Sequence, residues 1–123
     1  MHIAEASETS GLSIDTIRFY EKSGMLPDLP RDDRGWRRFT PDTVGWLEVL
    51  ANLRKTGMPL DDVRRFAASA NGPDAMSVPA MKERLELLRT HAARLTLKQA
   101  ELNRCTAYLN GKISNYAERL AEQ

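Results

Sequence analysis

The 123-residue sequence has little of several features that would mark a broad class of protein. It contains a single cysteine, so no intramolecular disulfide can form, which suits a reducing compartment. No stretch approaches the ~20 consecutive apolar residues that span a bilayer, and the first residues do not have the pattern of a secretory signal. We therefore expect a cytoplasmic protein with no membrane partner.

The chain also lacks a large excess of charge of either sign. Its 18 Lys and Arg residues and 17 Asp and Glu residues give a formal net charge of +1. Within residues 1–70 the acidic residues outnumber the basic ones. If this part of the chain binds nucleic acid, the contacts must come from the local placement of a few cations, because net attraction to phosphate is absent.

No motif of an enzyme or of a metal centre is present. Carboxylates occur in pairs at Asp32/Asp33, Asp61/Asp62 and Glu83/Glu86, but none has a basic partner, and the chain has no Gly-rich phosphate loop or nucleophile motif. A soft-metal site needs at least two good ligands, and Cys105 has no second thiol. We expect no catalytic residue, no metal and no cofactor.

Two motifs near the N-terminus predict the fold of the first half. A short helix over Ile3–Ser10 and a turn at Gly11 precede a second helix over Ser13–Ser23, which begins with a capping serine and ends at Gly24. Helical spacing places Ile14 and Ile17 in the core, and Thr16, Arg18 and Tyr20 at the surface.

The second motif, Gly35-Trp36-Arg37-Arg38-Phe39, predicts a turn followed by a return strand over Trp36–Phe39. A helix that can enter a DNA groove, followed by a hairpin that can contact the flanking DNA backbone, is typical of a winged helix-turn-helix, which binds double-stranded DNA. The predicted DNA-binding residues are Ser13, Thr16, Arg18, Phe19, Tyr20, Gly35, Trp36, Arg37 and Arg38.

Further helices complete an all-α dominated fold. Thr40-Pro41 predicts a helix start, Gly57 ends that helix after Thr56, and another helix covers Leu60–Ala70. From about Pro79 apolar residues recur at alternating spacings of four and three, which predicts a coiled coil with a second copy of the chain. The predicted dimer interface comprises Met81, Leu85, Leu88, Ala92, Leu95, Gln99, Leu102, Thr106 and Leu109.

We expect Gly111 to break this helix and leave a short C-terminal tail helix. The predicted domains are therefore a winged helix-turn-helix DNA-binding domain over residues 1–72, a dimerisation helix over residues 77–110, and a tail helix over residues 111–123.

The motifs over residues 2 to about 70 resemble the mercury-resistance-regulator (MerR) family of bacterial transcription factors. The resemblance rests on Gly11–Leu26, on Gly35-Trp36-Arg37 with Phe39, on Leu53–Met58 and on Leu60–Val63. It implies an antiparallel dimer that binds a pseudo-palindromic promoter element and distorts it for RNA polymerase.

The C-terminal half resembles a short branch of that family linked to aldehyde and other carbonyl stress. Members of the branch often carry a reactive cysteine where this chain has Asn52. Cys105 lies beside the predicted seam and is the one candidate sensor thiol, although a buried, inert role is the commoner one. The alternative to a regulator is a coiled-coil adaptor that binds protein through its long helix and keeps a vestigial head.

Overall fold

The computed structural model describes residues 1–123, which form five helices. The only β-pairing is one isolated bridge, so no strand is formed. The helices are α1 (Ile3–Ser10), α2 (Ile14–Lys22), α3 (Pro41–Lys55), α4 (Leu60–Asn71) and α5 (Val78–Ala121). The chain divides into two units, residues 1–87 and residues 88–123. No helix combines the length and apolar character required to cross a membrane.

The predicted helix starts and turns are present. Ser13 caps α2 by accepting a hydrogen bond from the Thr16 amide, and Thr40 caps α3 by accepting one from the Thr43 amide. Between α1 and α2 the chain turns at Gly11, whose φ of 78° lies in the left-handed region that only glycine adopts without strain. These local signals set the two helices of the predicted helix-turn-helix.

The core of the first unit lies where α1 packs on α2 and α3, and where α3 packs on α4. Its largest fully buried side chains are Ile17, Met25, Leu47, Leu50, Met58 and Val63. Trp46 ties three segments together, because its ring stacks on Phe66 at 6.2 Å and its Nε1–H donates to the Met25 carbonyl oxygen at 2.8 Å. These two contacts connect α3 to α4 and to the segment that follows α2.

The return strand predicted over Trp36–Phe39 is not formed. A hairpin is present, but its pairing is one antiparallel bridge between Arg31 and Arg37, flanked by hydrogen bonds from the Arg38 amide to Pro30 and from the Asp32 amide to Trp36. Proline has no N–H to donate, so the ladder cannot extend past Pro30. The wing, defined as residues 31–38, is therefore a tight loop rather than a two-stranded ribbon.

The predicted break at Gly111 was also wrong, since α5 is a single helix of 44 residues that runs through Gly111 to Ala121. A lone glycine costs a helix only about 1 kcal/mol relative to alanine, and no proline or capping residue follows to end it. There is no separate tail helix at residues 111–123.

The start of α5 is held against α4 within the first unit. Arg84 donates through Nη1 to the Ser69 hydroxyl at 2.9 Å and through Nη2 to the Ala75 carbonyl at 2.6 Å, and Ser69 in turn donates to the Ala80 carbonyl at 3.1 Å. These bonds cross the α4–α5 connection, so the first turns of α5 belong to the same unit as the helix-turn-helix.

Candidate nucleic-acid interface

The N-terminus of α2 presents two of the predicted DNA-binding residues together. The Ser13 hydroxyl accepts from the Thr16 amide at 3.1 Å and donates to the Thr16 hydroxyl at 2.8 Å. Both hydroxyls lie at the positive end of the helix dipole, where an anion is favoured. Ser13 is exposed and Thr16 partly so, which leaves this end of α2 open to a ligand.

Arg18 is exposed, as predicted, and lines the groove between α2 and the wing. This groove, hereafter the α2–wing groove, has a volume of about 350 Å³. Its charged and aromatic lining side chains are His2, Arg18, Glu21, Arg31, Trp36, Arg37 and Phe39. Three guanidinium groups around one open groove provide the local positive charge that the overall composition lacks.

The prediction that Tyr20 is exposed was wrong. Its side chain is 4% exposed and belongs to the core, three residues beyond the buried Ile17 on the same face of α2. Burial raises the pKa of the Tyr20 hydroxyl above its usual 10.0, while the positive charge of Arg54 acts in the opposite direction. Packing in the core accounts for the ring of Tyr20, and the contact of its hydroxyl with phosphate stays a prediction.

Phe19 is the exposed ring of the pair, with 41% of its surface accessible. The guanidinium carbon of Arg64, on α4, lies 5.7 Å from the centre of this ring, within the range of a cation–π contact. Phe19 has no hydroxyl, so it offers only apolar surface to a ligand. Its contact with Arg64 holds that cation of α4 beside α2.

The wing is organised by Asp32, which was not among the predicted site residues. Its Oδ1 accepts from the amides of Arg34 at 2.9 Å and Trp36 at 3.0 Å, and its Oδ2 accepts from His2 Nε2 at 2.8 Å. The hydrogen bond from His2, followed by those from the two amides, holds the pKa of the Asp32 carboxyl below its usual 3.8. Gly35, at φ 81°, supplies the left-handed residue that the turn requires.

Trp36 lies at the surface of the wing, 54% exposed. Its ring meets the His2 ring edge-on at 5.3 Å, and the Arg34 guanidinium carbon lies 5.4 Å from its centre. The indole is thus held between the N-terminal segment and the turn, with much of one surface still open to a partner.

The two consecutive arginines of the wing have different surroundings. Arg37 Nε forms an ion pair with Glu21 Oε2 of α2 at 2.5 Å, whereas the Arg38 side chain is exposed and makes no contact with another polar or aromatic side chain. Alternation along the hairpin explains the difference, because neighbouring side chains point to opposite sides. Arg18 and Arg38 are therefore free to bind an anion, and Arg37 is held in place.

Sequence reasoning missed the residues that support this surface, namely His2, Glu21, Asp32 and Arg64. Each acts through a partner distant in the chain, as with His2 and Asp32 or Glu21 and Arg37. A usable signal existed for Asp32 alone, since an aspartate three residues before a glycine is typical of a side-chain-capped turn.

The predicted dimer residues share one face of α5, and every one of them is exposed in the single chain. Leu102 and Leu109 are 60% and 59% exposed, and Ile113, Tyr116 and Leu120 continue the row at 61–74%. A row of large apolar side chains left open to water is typical of a helix that packs on a partner. Cys105, the one thiol, is free and exposed.

The residues of this chain do not bring together three or more His, Cys, Asp or Glu side chains that could hold a metal ion. The charged groups of the surface described above are instead spread along α2 and the wing.

Comparison with known proteins points to one family. The family model of MerR HTH regulatory proteins matches residues 1–70. An HTH-type transcriptional regulator of Haemophilus influenzae is 39% identical over 119 residues, which cover 96% of this chain and 84% of that protein.

Two crystal structures extend the similarity to the fold. A MerR family transcriptional regulator from Listeria monocytogenes matches with a TM-score of 0.79 and 29% identity, over 94% of this chain and 85% of that one. HiNmlR, a MerR family regulator lacking the sensor domain and bound to promoter DNA, matches with a TM-score of 0.70 and 38% identity, over 85% of this chain and 76% of that one.

Proposed function

Since this chain belongs to the MerR family of helix-turn-helix regulatory proteins, we propose that it is a homodimeric, sequence-specific DNA-binding transcriptional regulator. The related HiNmlR was crystallised on promoter DNA, which supports a promoter element as the ligand here. Two copies of the chain would join through α5, and each would present α2 and the wing to one half of a pseudo-palindromic site.

The observation that carries this proposal is the α2–wing groove with the cations around it. Arg18 of α2 and Arg31 and Arg37 of the wing line this groove, and Arg38 is a further exposed cation of the wing. A recognition helix entering a major groove places its exposed side chains against base edges, while a neighbouring loop meets the sugar-phosphate backbone. We assign Arg18 to phosphate or to guanine, the two wing arginines to phosphate, and the Ser13 and Thr16 hydroxyls to the backbone at the start of α2.

The mode of regulation follows from the dimer. Two binding heads held at a fixed separation by a long helix can require the promoter to bend and untwist, and the backbone contacts offset the cost of that deformation. Such a distortion would change the alignment of the promoter for RNA polymerase, so that one protein can repress or activate. This function requires binding energy and no catalytic group, and the link to carbonyl stress stays a prediction.

The test is selection of DNA by the purified protein followed by a salt series. Fragments retained from a genomic or random pool should share a pseudo-palindromic sequence. If Arg18, Arg37 and Arg38 each contact one phosphate in both subunits, log affinity should fall with log salt with a slope of about −5. A chain that retains no preferred sequence and shows a flat salt series would instead be the coiled-coil adaptor.

A further inference from the structure

We propose that Glu21 is a positioning residue for DNA binding, which holds the Arg37 guanidinium in the orientation that meets a phosphate. This inference rests on the proposed function and adds a role for an acidic residue on the DNA-binding surface. The carboxylate itself does not touch DNA. Its effect passes through Arg37.

The contact joins the two elements that must act together on DNA. Glu21 lies near the end of α2 and Arg37 in the wing, and Glu21 Oε2 lies 2.5 Å from Arg37 Nε. Both side chains line the α2–wing groove, together with Arg18 and Trp36. No second ion pair links α2 to the wing, so this one is the electrostatic link between them.

The geometry leaves Arg37 able to bind an anion while it is paired. A planar guanidinium has five N–H donors, and a carboxylate at the Nε edge leaves those of the far nitrogen unused. Arg37 keeps 38% of its side-chain surface exposed. It can therefore donate to Glu21 on one edge and to a phosphate on the other.

A stabilising role alone does not account for the pair. Ion pairs between side chains this exposed contribute little to folding, because solvent screens them and both chains lose rotamer freedom. A gain in binding is the better explanation, since an arginine whose rotamers are fixed before binding loses less entropy when it meets its ligand. Pairing also neutralises a carboxylate that would otherwise repel phosphate from the groove.

The proposal is testable because a repulsive role and a positioning role of Glu21 predict changes in DNA affinity of opposite sign when its charge is removed. If Glu21 acted only as a negative charge, its removal would strengthen DNA binding, because one repulsive charge per subunit would disappear. If it positions Arg37, its removal weakens DNA binding although the protein becomes more positive.

The experiment is a double-mutant cycle on the full chain, with a duplex selected by the wild-type protein. Glu21→Gln, Arg37→Ala and the double variant are compared by fluorescence anisotropy at several salt concentrations. Glu8→Gln is the matched control, since Glu8 is an exposed glutamate of α1 without an ion-pair partner. Glu21→Asp keeps the charge and withdraws it by one methylene, and thermal unfolding checks that each variant is folded.

We expect Glu21→Gln to weaken binding by about three- to tenfold and to reduce the salt slope by about one to two, with Glu21→Asp weakened as well. In the Arg37→Ala background Glu21→Gln should have no further weakening effect, and Glu8→Gln should bind like the wild type. Tighter binding by Glu21→Gln, or an equal loss with and without Arg37, would overturn the positioning role. A wild-type protein that binds no duplex would overturn the proposed function itself, whereas wild-type binding without coupling between the two residues overturns this inference alone.

Discussion

Truncation of Leu102 to alanine should weaken the dimer strongly, and the size of the effect can be worked out from the exposure of this side chain. Leu102 is 60% exposed in the single chain. Complete burial of a leucine side chain is favourable by about 1.5–3 kcal/mol, so covering this exposed part would contribute about 1–2 kcal/mol per chain. A symmetric interface contains the residue twice, which gives about 2–4 kcal/mol for the dimer.

The expected result is a dimer dissociation constant raised by roughly 30-fold to several-hundred-fold in Leu102→Ala. Sedimentation equilibrium over a range of protein concentrations measures it directly. Leu97→Ala is the matched control, because Leu97 is a leucine of the same helix, 72% exposed, that lies off the predicted seam. Helix propensity changes equally in the two variants, so any difference between them reports the interface.

Equal dissociation constants for Leu102→Ala and the wild type would refute the seam as the dimer interface. An equal weakening by Leu97→Ala would do the same, since it would show a general effect of truncation on α5. A wild-type chain that sediments as a monomer at micromolar concentration would remove the dimer altogether.

Four further predictions concern the interface with DNA and the thiol. Arg18→Ala should weaken binding to the selected duplex and reduce the salt slope by about two per dimer without a change in unfolding temperature, while Arg104→Ala, on α5, should leave both unchanged. Tyr20→Phe should keep DNA affinity, whereas Tyr20→Ala should lower the free energy of unfolding by about 3–5 kcal/mol in a denaturant titration, since the ring is buried in the core. Hydrogen bonds hold the pKa of Asp32 below 3.8 in the folded protein, so its stabilisation of the wing is complete above the unfolded pKa and is lost as pH falls through the folded pKa. The amide chemical shifts of Arg34 and Trp36 in an NMR titration should therefore move only below about pH 4, and a midpoint above that pH would contradict the assignment. Cys105→Ala should retain DNA binding and change the free energy of unfolding by no more than about 1 kcal/mol, because the thiol is exposed. A Cys105→Ala variant that binds DNA normally but no longer responds to any inducing stress would instead make Cys105 the sensor.

Patterns that act over one or two helical turns were readable in the sequence. The capping hydroxyls of Ser13 and Thr40 predicted where α2 and α3 begin. The four-three spacing predicted a long helix with a dimer seam; the helix is present, and the residues of the seam stay a prediction. Gly111 shows the limit of such rules, because a breaking tendency of about 1 kcal/mol is smaller than the combined preference of the residues around it. The roles of the predicted DNA-binding residues in contact with DNA stay predictions.

The candidate site depended on contacts that no local pattern encodes. The prediction that Tyr20 is exposed overlooked its position three residues after Ile17, on the same face of α2. In the folded chain α2 packs with Tyr20 buried and Phe19 exposed. The ion pair between Glu21 and Arg37 joins residues on two different elements, so it exists only once the wing is folded against α2.

The sequence by itself determined the family, the order of the helices and the residues that begin and end most of them, because capping, turn chemistry and hydrophobic periodicity operate between residues close in the chain. The tertiary structure decided which aromatic ring of α2 is buried, how the wing closes around Asp32, and which arginines are held and which are free. Those outcomes depend on side chains brought together from distant parts of the chain, and burial and ion pairing act on distance in space rather than on distance in sequence.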